Sequence, residues 1–527
     1  MPPGMSEEGD DGPTRRQLLG LIGAGGITAI GAGLIITGAR VSPTDDDGDG
    51  NESADGDREP DEPSALSAAW DATYGDGPSA FSAAVGGRDV GSIFSDGNAT
   101  NETAGNTTLN GTGTANETAG NASIGNESGT GNATDGNVSD SEDGPDEAVF
   151  GGVRSTDQDD GEGWLVGVEG PETTTFDVTY SADQGEQAFD AIECVLPAAD
   201  GWVIVGWTHV PSPDDGDTPD RKFPWASGVD EAGSSQWFRT YERPGVESFR
   251  DVFRDGVPTP DGGYLLAGVT LGESFDDIRR GDGWLAKIGA EGRLNWERTY
   301  APDGANRTTW SDDERYDAFT TVRAVDGGYL LAGAATTDGP SDSNPADGWV
   351  VAVDPNGERR WSSTYEYAGG EDSDAVDLAV SDVRPAGDGF LAVGTAGSYE
   401  YVRPLRENQL FGDGWIAGLG AEGEVRWEQS VADAALRTTA DAGDAGRIVA
   451  GARENQPWVG LLGEDGSLAE ELTLSEADGV VSTAAVRDDG AIALAGRRDD
   501  GETPVAFVTQ LSPIEDAAAE SDSDAEE

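Results

Sequence analysis

The side chains able to do chemistry in this chain are few in type. Among its 527 residues there is one histidine, His209, and one cysteine, Cys194, against 102 carboxylates and 32 basic side chains. A lone histidine excludes a multi-histidine metal site and weakens most acid–base schemes. Cys194 allows no intramolecular disulfide, and its apolar neighbours in Ala191–Leu196 predict a buried thiol. No Ser/His/Asp or Cys/His set can be assembled and no phosphate-binding glycine loop occurs, so neither cofactor nor metal is expected. Binding chemistry is more promising. Arg221, Lys222, Arg279, Arg280, Arg307, Arg315, Arg403 and Arg406 fall in four stretches, His209–Phe223, Leu271–Asp282, Ala301–Tyr316 and Ser398–Gly412. The same stretches hold Trp310, Tyr316, Tyr399, Tyr401 and Phe411. Arginine edged by aromatic rings suits a polyanion, a glycan or an acidic peptide. The acidic residues between them offer local salt bridging as the competing reading.

Net charge narrows the partners. At −70, with a pI near 4.1, the chain lacks the basic footprint that phosphate binding needs, which excludes nucleic acid. Such charge strains a compact fold by self-repulsion, yet at molar salt the screening length falls to roughly 3 Å. The only lysines are Lys222 and Lys287. An acidic, lysine-poor chain of this kind resembles proteins of extreme halophiles; an acidic protein of ordinary salt is the other reading.

The elements that must position these residues are announced by a repeat. Asp326–Gly333 reads Asp-Gly-Gly-Tyr-Leu-Leu-Ala-Gly and returns almost unchanged at Asp261–Gly268. Each copy is followed by Asp-Gly-Trp with a short apolar run, and most by Trp-x-x-Thr-Tyr. Periods of about 50 to 60 residues mean a solenoid, a propeller or an array. Asp-Gly and Asn-Gly between apolar runs signal tight hairpins, because both central positions of such turns need positive φ. Four short antiparallel strands per unit predict an all-β fold, a seven-bladed β-propeller. The last unit lacks its fourth strand. Trp70–Tyr74, standing before the first unit, carries the signature of that strand, so an N-terminal strand is expected to close the ring.

These units resemble the prokaryotic secreted β-propeller repeats built of Asp-Gly-Gly-Tyr-x-x-Ala-Gly, then Trp-x-x-Lys, then Trp-x-x-Thr-Tyr. The third unit fits best, with Trp284 to Lys287 and Trp296 to Tyr300. Ala352 to Trp361 resembles, one residue short, the tryptophan-docking motif of quinoprotein propellers. Ser181, Asp183 and Gly185 form only a defective sialidase-type Asp box, with the aromatic displaced to Phe189. The resemblance implies fold, and exported binding or scaffold domains, rather than an activity.

Around the repeat lie segments of other character. Arg15 and Arg16 precede an apolar run from Leu18 to Gly38 and resemble a twin-arginine export signal. The run exceeds the roughly 7–15 residues of a cleaved signal and reaches the about 20 that span a bilayer. Residues 1–40 are therefore expected to be a signal retained as a membrane anchor, with cleavage and secretion as the alternative. Residues 41–66 read as an acidic linker. Asp45, Asp47, Asp49 and Gly50 mimic the start of a calcium loop but lack its closing glutamate. The propeller spans 67–512 and the acidic tail 513–527. Within 88–146 fall nine Asn-x-Ser/Thr sequons, at Asn98, Asn101, Asn106, Asn110, Asn116, Asn121, Asn126, Asn132 and Asn137. They predict a glycosylated insertion in the first blade. The whole reads as an exported, membrane-anchored, non-enzymatic binding or scaffold module of the cell surface. A surface glycan, a polyanion or a protein is its expected partner. A sugar-active or quinone-dependent enzyme and a structural envelope glycoprotein are the alternatives.

Overall fold

The computed structural model describes residues 66–512 except 75–77, 87–147, 158–159, 172, 182–188, 211–220, 242–250, 271–280, 303–316, 337–345, 368–376, 403–406, 444–445, 464, 488–490 and 501–502. The described elements are strands. β1 is Ala68–Tyr74. The next group is β2 (Ser79–Gly86), β3 (Ala148–Asp157), β4 (Asp160–Gly170) and β5 (Thr173–Tyr180). It is followed by β6 (Phe189–Ala198), β7 (Gly201–Val210), β8 (Arg221–Val229) and β9 (Ser235–Thr240). Then come β10 (Val252–Pro258), β11 (Tyr264–Thr270), β12 (Asp282–Ile288) and β13 (Leu294–Tyr300). A fourth group is β14 (Ala318–Val325), β15 (Gly328–Ala335), β16 (Asp347–Val353) and β17 (Arg359–Tyr365). A fifth is β18 (Asp377–Ala386), β19 (Gly389–Val402), β20 (Glu407–Leu419) and β21 (Val425–Val431). The sixth is β22 (Ala434–Asp441), β23 (Arg447–Arg453), β24 (Gln456–Leu462) and β25 (Leu468–Thr473). The chain finishes with β26 (Gly479–Val486), β27 (Ile492–Asp500) and β28 (Thr503–Leu511).

Each group pairs as an antiparallel meander. The first two groups touch through a single parallel bridge, Gly161 to Phe189. β28 takes its outer partner from the other end of the described chain: β1 lies antiparallel to it, with Ala72 opposite Val508 and Tyr74 opposite Ala506. The first strands of the groups pack on one another in order, β2 on β6, β6 on β10, and so on to β26, which packs on β2. Four-stranded antiparallel sheets stacked face to face about shared inner strands are a β-propeller.

The repeated apolar run has two destinations, which is why it does not alternate with polar residues. Leu265 and Ala267 of β11 face the sheet that follows, among Phe319, Leu331 and Trp349. Leu266, between them, faces the sheet that precedes, among Leu196, Val205 and Phe253. A sheet covered on both sides reads as a continuous hydrophobic stretch. The turn before it needs positive φ, and Gly262 (78°) and Gly327 (72°) supply it.

The aromatic phrase of each fourth strand joins neighbouring sheets. Tyr180, Tyr241, Tyr300 and Tyr365 donate their hydroxyls to the carbonyls of Gly233, Gly292, Gly357 and Gly423, all in the next sheet, at 2.5 to 2.8 Å. Trp237, Trp296, Trp361 and Trp427 lie over the turn glycines of the following sheet, where a β-carbon at Gly357 would stand 2.7 Å from Trp296. Tyr74 of β1 reaches Gly170 of the β2–β5 sheet at 3.5 Å, the same relation in longer form. Two joints depart from the pattern. Val431 replaces the tyrosine at the end of β21, and Glu470 of β25 with Leu474 just after it stand where the pair should be. There Leu66 inserts between the β22–β25 and β26–β28 sheets, and its backbone N–H donates to Glu470 at 2.9 Å.

Strand direction puts several ends on one edge. Gly86 pairs with Ala148, and Ser512 donates its N–H to Ser67 at 2.8 Å. The entry to β1, the exit from β28 and the ends of the β2–β3 connection therefore share the edge of the first and third turns. One expectation is corrected. Ser398–Gly412 is not a long loop but a hairpin continued beyond the sheet, paired from Gly397–Gly412 out to Val402–Glu407. Alternation of Tyr399, Tyr401 and Leu410 favours pairing there over a loop. The twin arginines, the apolar run, the linker, the nine sequons and the acidic tail lie outside the described residues. Among the described residues no helix is long and apolar enough to cross a membrane.

Candidate functional site

Every inner strand carries the same irregularity. Its register slips by one against the second strand, at Ser82, Glu193, Arg254, Thr320, Ser381, Arg437 and Ser482. Each is a β-bulge, a device that re-aims a side chain out of the ladder. The cause is the last glycine of the repeated phrase. At Gly152, Gly206, Gly268, Gly333, Gly394, Gly451 and Gly496, a β-carbon would run into a carbonyl of the first strand beside the bulge. Glycine lets the two backbones approach, the extra residue is pushed out, and it faces the cavity.

All seven bulged residues line one cavity of about 470 Å³. Beside them stand Asp255, Arg323, Asp382 and Arg384, further along their strands. Four arginines therefore meet three carboxylates in a chain whose overall charge is −70. Asp255 and Asp382 are held by Arg323, which spans both: it meets the Asp255 carboxylate, and its other amino group lies 2.9 Å from Asp382. Thr321 and the Val322 N–H also donate to Asp255, at 2.7 and 3.0 Å. Asp382 accepts from Arg384 Nε at 3.1 Å and from the Val383 and Thr439 backbone at 2.9 and 3.2 Å. Glu193 accepts the Trp207 indole N–H at 2.7 Å and lies 3.4 Å from Arg254.

Electrostatics follow from this wiring. Burial alone would raise the Asp382 carboxyl, but Arg323, Arg384 and the Thr439 N–H hold it below the ordinary carboxylate range. Burial would lower Arg323, and the charges of Asp255 and Asp382 outweigh it, so its value stands raised. Arg384 goes the other way: burial, with the adjacent Arg323 charge, outweighs Asp382 and lowers it. Burial, then Asp255, pushes the Cys194 thiol up, in keeping with a buried and unreactive cysteine. Among the described residues no group of three or more His, Cys, Asp or Glu could hold a metal ion.

None of the binding residues named from the sequence is among the described residues that line this cavity. Lys222 lies on β8 with its ammonium 3.6 Å from the centre of the Trp207 ring, a cation–π contact. Arg221 and Tyr399 fall on the paired backbone of β8 and β19. Arg279, Arg280, Trp310, Arg315, Arg403 and Arg406 lie outside the described residues. The cavity residues escaped sequence reading because they sit inside apolar strands. A signal was present: from the second group onward the polar residue lies 13 or 14 positions before the repeated glycine (333 minus 320, 268 minus 254), whereas Ser82 and Gly152 of the first group are separated by the β2–β3 connection.

No family model matches the chain, and no curated protein matches it. Among solved structures it is similar to the polysaccharide lyase Uly1, at 12% identity over 70% of this chain and 88% of that one, with a TM-score of 0.42. The Dos1 propeller gives 10% identity, 67% and 74% coverage and a TM-score of 0.36. Trypanosoma rangeli sialidase gives 8%, 69%, 52% and 0.35. The propeller architecture itself rests on the strand pairing above.

Proposed function

We propose that this protein is a non-enzymatic binding module of the cell surface, exported by the twin-arginine route and held by its N-terminal segment. In this reading seven blades form a ring, and β1 closes it as the fourth strand of the last blade. The carrying observation is the division of labour among residues. The repeated side chains are spent on packing, whereas the bulged positions vary among serine, threonine, glutamate and arginine and face one cavity. Its carboxylates are engaged with arginines and backbone N–H groups, an arrangement for holding charge rather than for passing protons. The shared edge of entry, exit and β2–β3 connection would direct anchor and glycans one way, leaving the other face open to the surroundings. The arginines singled out in the sequence, Arg279, Arg280, Arg403 and Arg406 among them, are proposed to contribute a second docking surface.

Two experiments test the reading. Full-length protein carrying Ala72→Cys and Val508→Cys, which are register partners, should form an internal disulfide; reduced thiols under oxidising conditions would reject closure by β1. Retention of the protein on its own cell envelope in molar potassium chloride should be saturable. Retention equal to that of an acidic control protein would remove the binding-module reading.

A further inference from the structure

We propose that the cavity receives a carboxylate on a compact, partly apolar body, with the terminal fork of Arg384 as its principal contact and Arg254 and Arg437 beside it. The inference rests on the binding-module reading and gives its ligand a chemical class. Three observations carry it. The cavity holds one more arginine than carboxylate, and each of those carboxylates already has partners within the protein. Arg384 spends its Nε on Asp382 and has no other hydrogen-bond partner among the described residues, so its two terminal amino groups are available. Its side chain keeps 30% of its surface accessible, against 2% for Asp382. Finally, the wall formed by β2 and β26, across the ring from Arg323 and Arg384, carries no charged side chain and offers the apolar Ala84, Val85 and Ala484 beside Ser82, Ser482 and Thr483.

These features select among anions. A guanidinium fork donates two parallel N–H bonds to two oxygens of one carboxylate, and such charge-assisted pairs are stronger than single contacts. Chloride, abundant in brine, offers one point of contact and nothing for the apolar wall. A neutral ligand of the same shape would give the terminal amino groups of Arg384 no opposite charge. The carboxylate would displace water from Arg384 and place its organic body against Ala84 and Val85. Burial has already made the Arg384 charge harder to hold, which favours an incoming anion.

The test titrates the full chain with benzoate and with its neutral counterpart benzamide, by calorimetry in molar potassium chloride. Benzoate should bind saturably and benzamide at least about tenfold more weakly. Arg384→Lys, which keeps the charge and removes the fork, should cost about tenfold in benzoate affinity. Arg437→Gln should weaken it several-fold while leaving the thermal transition in place. Equal binding of benzoate and benzamide would overturn the proposal, as would wild-type affinity in both variants. The envelope assay separates the two readings. If retention persists while benzoate fails, the carboxylate inference falls and the binding module stands; if wild-type retention fails, the module reading falls by itself.

Discussion

Arg323→Met should be among the most damaging single substitutions in the molecule. The guanidinium bridges Asp255 and Asp382, whose side chains are 17% and 2% exposed, and so ties the third and fifth sheets through the fourth. Removing it leaves Asp382 with Arg384 and backbone donors, and Asp255 with Thr321 and the Val322 N–H. Breaking a buried ion pair from one side costs about 3–5 kcal/mol, because a charge is left without its partner. A pH signature should accompany the loss. The Asp382 carboxyl is depressed in the folded state, so its contribution is present above its unfolded value of about 4 and lost as pH falls through the folded one. Without Arg323, the strongest influence opposing burial is lost, the folded value rises, and acid unfolding begins at higher pH. Denaturant unfolding followed by tryptophan fluorescence, in molar potassium chloride and across acidic pH, measures both effects. Buried pairs are little screened by salt, whereas an exposed pair such as Arg426–Asp388 is screened much more strongly. A loss below about 1 kcal/mol, or one that vanishes in molar salt, would refute the reasoning.

Four smaller outcomes follow from the same geometry. Tyr300→Phe removes the 2.6 Å bond to the Gly357 carbonyl and should cost about 1–2 kcal/mol in equilibrium unfolding. Gly357→Ala should cost clearly more than Gly262→Ala, compared by melting temperature: both have φ of 78°, a penalty of about 1–2 kcal/mol, but only at Gly357 would the new β-carbon press on Trp296. Burial pushes Tyr365 up to about 12. Its contribution is complete below the unfolded value of about 10 and lost as pH rises through 12, so ultraviolet titration should show phenolate forming only with alkaline unfolding. Finally, the melting temperature should rise as potassium chloride is added, because screening relieves self-repulsion at a charge of −70.

The all-β character and the four strands of each unit were legible because the apolar runs are long and their turns carry Asp-Gly and Asn-Gly. The spare Trp70–Tyr74 strand could also be read, since its aromatic spacing matched that of the other fourth strands. The cavity could not. A bulge leaves no mark on hydrophobic periodicity, so Arg254 and Arg437 look like misplaced polar residues in buried strands. The knot of Asp255, Arg323 and Asp382 joins residues of three separate units, and nothing local to any of them announces it. Ser398–Gly412 misled because its charged and aromatic side chains resemble those of a binding loop, while its pairing depends on a twin strand beyond the sheet.

The partnership of β1 with β28 sets a timetable for the chain. A ribosome makes β1 before every other strand described here and β28 after them all, so β1 must wait through the synthesis of the domain for its hydrogen bonds. Pairing of such sequence separation is slow, because loop closure precedes any gain from contact. An interrupted chain would leave the β2 and β26 packing unformed and expose open strand edges. Among the described strands, β1 is thus the first made, and its pairing can be completed only after β28 has been made.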